Sequence, residues 1–107
     1  MSSRQAVEWP GKSGKTYAYL VYEFGTTFKQ SPGNYIFAKE TEPNALTPIY
    51  IGQTGDLSER FDNHHKMPCI RLYGATYICV HASSENEETR QAEESDLIEQ
   101  WNPVCND

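Results

Sequence analysis

Tyr35 and Tyr50 stand in two short runs rich in strand-forming residues, and Arg60 and His64 follow close behind. A phenol, a guanidinium and an imidazole brought together can hold an anion and move a proton. The same residues held apart make only an ordinary hairpin packed under a helix. Glu94 adds a second oddity. At about 100° per residue, Leu97, Ile98 and Trp101 cluster on one side of a helix, and Glu94 falls close to the centre of that stripe. Glu93 falls at its edge, while Asp96 and Glu99 are expected to face water. A carboxylate turned inward needs a cation, a set of donors or a metal beside it. The everyday explanation is an ion pair with Arg60, or capping by tyrosine hydroxyls.

The elements that would position these groups can be read from punctuation and periodicity. Residues 1–15 are polar, with Gly11, Ser13 and Gly14, and read as a loose arm. TYAYLVYEF (16–24), NYIFAKE (34–40) and PIYIG (48–52) read as strands, the last two joined by the polar loop ETEPNALT. Asp56 is expected to open a helix, because D-L-S-E places Glu59 at the reach-back position of a capping box. Leu57, Phe61 and His64 would share its inner face, and Pro68 would limit it. GATYICVHA (74–82) is apolar in both parities and reads as a strand covered on both sides. Ser84 with Glu87 makes a second capping box, opening a helix that runs to about Trp101 before Pro103 stops it. The order predicts a small α+β domain with a mostly antiparallel sheet.

The chain of 107 residues has room for a single core, taken as residues 16–107. Its net charge of −6 is unfavourable for a phosphate-binding surface, but the charge is concentrated in one place. Seven acidic residues between 85 and 99 face Arg90 alone, while the 60–71 stretch holds Arg60, Lys66 and Arg71 against Asp62. A local phosphate site is compatible with that distribution; tight non-specific binding is not. Three cysteines without a C-x-x-C spacing predict no disulfide framework and hence a reducing, cytoplasmic compartment. Cys79 and Cys105 read as small buried hydrophobes. His64, His65 and Cys69 lack a fourth ligand at a usual zinc spacing. No apolar run has membrane-spanning length, and the first residues lack the hydrophobic stretch of a signal peptide.

Taken together these residues resemble the GIY-YIG nuclease family. Gly33-Asn34-Tyr35 stands for the first motif and Tyr50-Ile51-Gly52, continued by Gln53-Thr54, for the second. Arg60 and His64 follow on the next element. Glu94 precedes Leu97-Ile98 as the family's metal-binding Glu does, and Pro103-Val104-Cys105-Asn106 matches its closing Pro-x-x-Asn. The match covers residues 33–106, with six polar positions in order. Two features depart from the pattern: Asn34 replaces an apolar residue that would point to the opposite face from Tyr35, and the loop between the motifs is long.

The resemblance implies a strand-strand-helix-strand-helix core with an extra N-terminal strand. It also implies an endonuclease that hydrolyses phosphodiester bonds of nucleic acid, with DNA as the first expectation, using one Mg²⁺ or Mn²⁺. Glu94 would hold the metal and Arg60 the phosphate, while Tyr35 would activate water with Tyr50 orienting it. His64 would shuttle a proton or contact phosphate, and Asn106 would hold the site together. With few basic groups, nucleic acid should bind weakly and with steep salt dependence. The competing expectation is a catalytically silent module of the same fold that binds nucleic acid or a protein.

Overall fold

The computed structural model describes residues 5–43, 45–59, 61, 64–82 and 85–106. Five strands form one sheet: β1 (Gln5–Pro10), β2 (Thr16–Glu23), β3 (Gly33–Glu42), β4 (Ala45–Thr54) and β5 (Tyr77–Ala82). Two helices, α1 (Met67–Leu72) and α2 (Glu87–Trp101), and a closing 3₁₀ turn (Val104–Asn106) complete the described chain. The spatial order is β1-β2-β5-β3-β4, and every neighbouring pair is antiparallel. The architecture is therefore small, α+β and antiparallel. No helix among the described residues is long and apolar enough to cross a membrane.

Strand alternation splits the interior in two. Tyr35, Phe37, Tyr50, Ile78 and Val80 point to one face, with Met67 and Ile70 of α1. Ile36, Ala38, Ile51 and Cys79 point to the other, under Leu97 of α2. β5 sits between β2 and β3, and Ile78, Cys79 and Val80 are all buried. That is the doubly covered strand its composition predicts.

Four expectations need correcting. Residues 5–10 lie within the expected loose arm but form edge strand β1, paired with β2 from Gln5↔Val21 to Pro10↔Thr16. Asp96 secures this hairpin and does not simply face water. Its carboxylate accepts from Ser13 N at 2.8 Å, Ser13 Oγ at 2.7 Å and Tyr17 Oη at 2.8 Å. A Cβ on Gly11 would overlap that carboxylate, so the turn requires glycine there.

Secondly, no helix starts at Asp56. Its carboxylate accepts from Ser58 N at 2.9 Å and also from the Ser58 hydroxyl, and Leu57 N–H donates to Ser31 O at 2.7 Å. This side-chain turn competes with helix formation for the same backbone groups. Pro68, expected to end a helix, sits in the first turn of α1, where its missing N–H costs nothing.

Thirdly, the expected loop between the two tyrosine strands is mostly strand. β3 and β4 pair as far as Glu42↔Ala45, with register shifts at Phe37/Ala38 and Glu40/Glu42. Pro48 is accommodated because β4 is an edge strand with a shift beside it.

Fourthly, Cys69 and Cys105 form a disulfide with Cα atoms 5.8 Å apart, tying α1 to the 3₁₀ turn. This removes the cysteine argument for a reducing compartment; Cys79 alone is a free, buried thiol. The N-cap of α2 is Asn86, whose Oδ1 accepts from Glu88 N at 2.8 Å, while the expected cap Ser84 lies outside the described residues. The helix ends at Trp101 as expected, with Asn102 left-handed (φ 46°) before Pro103.

Candidate active site

Cross-strand register places the two tyrosines together. Phe37 faces Tyr50 and Tyr35 faces Gly52, so all three aromatic side chains share the α1 face. The Tyr35 and Tyr50 rings lie 6.2 Å apart. Gly52 makes this possible: a Cβ there would come within 2.6 Å of the Tyr35 ring and 2.9 Å of the Tyr50 ring. The glycine of Tyr50-Ile51-Gly52 is thus the floor over which Tyr35 lies.

His64 reaches the same place from a turn, not from a helix. Its N–H donates to Phe61 O at 3.0 Å and its carbonyl accepts from Met67 N at 2.9 Å. The imidazole Nε2 lies 2.7 Å from Tyr35 Oη, and Nδ1 accepts from Lys66 N at 3.1 Å. Burial lowers the His64 pKa to about 4, with the charges of His65 and Lys66 acting in the same direction. The ring is therefore neutral at pH 7. With Nδ1 occupied as an acceptor, its proton resides on Nε2, which donates to Tyr35 Oη. His65 stacks on His64 with centroids 4.6 Å apart, and the Tyr50 ring lies 4.9 Å from His64.

Tyr35 is 5 % exposed, and burial pushes its phenol well above the ordinary value, followed by Tyr50, Glu94 and Glu59. Tyr50 is raised by burial and then by Glu94. Both tyrosines are phenols at rest, so forming a phenolate requires a cation beside them. Around Tyr35 and His64 the surface forms an open depression that also takes in Gln53, Thr54, Glu59, Phe61 and His65.

Glu94 supplies the negative charge felt by both tyrosines. It is half-buried, and burial raises its carboxyl pKa; among the described residues it has no hydrogen-bond or ion-pair partner. The centre of the inward stripe, however, is occupied by Arg90, Glu93 and Leu97. Glu93 is 6 % exposed and accepts from Tyr19 Oη at 2.7 Å and His81 Nδ1 at 2.9 Å. The helix packs on the Leu97 side, one residue round from the centre set by Leu97, Ile98 and Trp101, so Glu94 falls on the flank of the buried stripe.

Asn34 and Gln53, partners across β3 and β4, fix that helix. Asn34 is fully buried on the face opposite Tyr35 and donates through Nδ2 to Arg90 O at 3.0 Å. Arg90 Nε donates to Gln53 Oε1 at 3.0 Å. The polar residue that departs from the first motif thus anchors α2 one turn before Glu94. A polar side chain at the start of the buried half of β3, ahead of Tyr35-Ile36-Phe37-Ala38, was the signal for it. Asn106 brackets Ile51, accepting from its N at 2.9 Å and donating to its O at 2.8 Å, and so pairs the outer edge of β4 beside Tyr50. Arg60 lies outside the described residues.

A half-buried carboxylate with no partner among the described residues could serve as one ligand of Mg²⁺, which keeps most of its waters and needs few protein ligands. Among the described residues no three His, Cys, Asp or Glu side chains converge, so Glu94 and water would carry such an ion. Comparisons with models of known protein families, with curated proteins and with solved structures find no match.

Proposed function

We propose that this chain is a metal-dependent endonuclease of the GIY-YIG type, hydrolysing phosphodiester bonds of nucleic acid, with DNA as the first substrate to test. The observation that carries the reading is the meeting of Tyr35 Oη with His64 Nε2 at 2.7 Å, beside Tyr50 and within the field of Glu94. Three of the six residues singled out by motif spacing, Tyr35, Tyr50 and His64, lie together on the α1 side of the sheet; Glu94 acts on both tyrosines from α2, and Asn106 holds the edge of β4 beside Tyr50.

Glu94 would hold Mg²⁺ or Mn²⁺, which supplies charge neutralisation on the phosphate and acidifies bound water. His64 donates to Tyr35, leaving the Tyr35 O–H free to point into the depression. There it can orient water or a phosphate oxygen. When cationic charge enters, the rise imposed by burial and by Glu94 is offset. Tyr35 would then lose its proton to solvent, and the resulting phenolate, held by the His64 N–H, would accept a proton from the attacking water. Tyr50 packs against the imidazole and limits its swing. This role for His64, a neutral donor fixed by Lys66 N–H, is narrower than that of a proton shuttle.

The second reading is a silent module of the same fold that binds nucleic acid or a protein. Its support is electrostatic: Glu59 and Glu94 both act on Tyr35, and the chain carries a net charge of −6. Incubating purified protein with DNA and RNA of duplex, single-stranded and branched form separates the two readings. Cutting with Mg²⁺ or Mn²⁺ that stops in EDTA supports the nuclease; binding without cutting under all conditions supports the module.

A further inference from the structure

On the α1 face, beside the Tyr35–His64 depression, lies a cavity of about 250 Å³. Phe24, Phe37, Phe61 and Ile78 wall it, and its polar groups come from Thr26, Thr27, Ser58, Glu59 and Arg71. The ring pairs Phe24–Phe37 and Phe37–Phe61 meet near edge-on at 5.6 and 5.7 Å. Phe61 is a shared wall, because its ring also lies 4.8 Å from Tyr35 and it borders both hollows. The Arg71 side chain is exposed, and its guanidinium has no hydrogen-bond or ion-pair partner among the described residues.

We propose that this cavity receives one unstacked nucleobase of the nucleic acid whose backbone crosses the Tyr35–His64 site, so that substrates with unpaired bases are preferred. The inference rests on the nuclease reading and extends it to a substrate class. Three properties select the occupant. The volume is below the roughly 300–1,000 Å³ of pockets for drug-sized ligands, which leaves room for one ring system and not a stacked pair. Aromatic walls suit the flat faces of a base, whichever base it is. A guanidinium at the same cavity, without a partner among the described residues, matches the phosphate that a base brings with it. The shared Phe61 wall puts base and phosphodiester in adjoining hollows. Extracting a base from a paired duplex costs unstacking and unpairing, whereas a single-stranded or bulged base enters without most of that cost.

Two arms test this. In the first, deoxyadenosine 5′-monophosphate is titrated without metal while aromatic NMR resonances are followed. Saturable shifts in Phe24, Phe37 and Phe61 are expected, with affinity about tenfold or more weaker in Phe24→Ala. Arg71→Gln should weaken the monophosphate and not the nucleoside. In the second, cutting of single-stranded, bulged and fully paired DNA is compared with Mg²⁺. The unpaired substrates should be cut about tenfold or more faster, and Thr27→Phe, which fills the cavity, should bring the ratio close to one. A thermal melt establishes that each variant folds, and Phe24→Ala supplies the same comparison if Thr27→Phe does not. Absence of saturable shifts, or equal cutting of all three substrates by the parent, overturns the base pocket and leaves the nuclease reading standing. Saturable binding in the cavity by a protein that cuts nothing supports the pocket and overturns the nuclease.

Discussion

His64 Nε2 lies 2.7 Å from the Tyr35 hydroxyl, and the direction of that hydrogen bond is set by Lys66 N–H occupying the other ring nitrogen. His64→Ala should therefore lower cleavage by roughly 10²-fold, the scale of losing one preorganised donor. His64→Gln, whose amide N–H can replace Nε2–H, should retain more activity than His64→Ala. Single-turnover rates for the two variants check this; equal losses would show that the donor does not matter.

His64 and His81 should leave opposite marks on stability against pH. Burial lowers the His64 pKa to about 4, so the native state resists protonation there while the unfolded chain takes up a proton near 6.5. Its stabilising contribution is present above about 6.5 and is lost as pH falls toward 4. His81 is raised, first by its hydrogen bond to Glu93, so its contribution is present below about 6.5 and lost as pH rises through its folded value. Melting temperatures from pH 4 to 8 should show His64→Gln flattening the acid side and His81→Gln flattening the neutral side.

The Cys69–Cys105 bridge spans 36 residues in sequence. Closing a loop of that size stabilises by about 3–4 kcal/mol in the chain-entropy description. Reduction by a dithiol should thus lower the melting temperature by roughly 10–20 °C. The double variant Cys69→Ala with Cys105→Ala should melt identically with and without reductant.

Gly52 is the position where the smallest change should do the most local damage. A methyl group there meets the Tyr35 ring and hydroxyl at 2.6 Å and the Tyr50 ring at 2.9 Å, and both rings are buried. Gly52→Ala should cost about 1–3 kcal/mol. It should also displace the phenol from His64, visible as a changed His64 Nε2–H resonance.

What could be read in advance followed from local pattern. β5, with Ile78, Cys79 and Val80 buried, and the end of α2 before Pro103 announce themselves within a few residues. β1 did not, because what secures its hairpin is Asp96, 83 residues beyond Ser13. D-L-S-E is ambiguous in the same physical sense: Asp56 can cap a helix or close on Ser58, and Leu57 bonding to Ser31 decides it. An odd cysteine count with wide spacing says nothing of pairing, so the Cys69–Cys105 contact came only with the fold. Of the candidate site, the sequence singled out Tyr35, Tyr50 and His64, and these three do come together. The supports were not legible: Arg90 and Glu93 look like surface charges on an acidic helix until Asn34, Gln53, Tyr19 and His81 are brought against them.

The most direct test of the proposed chemistry is the cleavage rate of Glu94→Gln against the parent protein with Mg²⁺, with thermal melts of both. Glutamine keeps the size of the side chain and removes the charge that a metal requires. Glu94 is half-buried, with its pKa raised by burial and no partner among the described residues. The fold should accordingly survive unchanged or slightly stabilised. The account predicts a loss of cleavage by orders of magnitude at an equal or higher melting temperature. A parent protein that cuts nucleic acid while Glu94→Gln cuts at the same rate would contradict it.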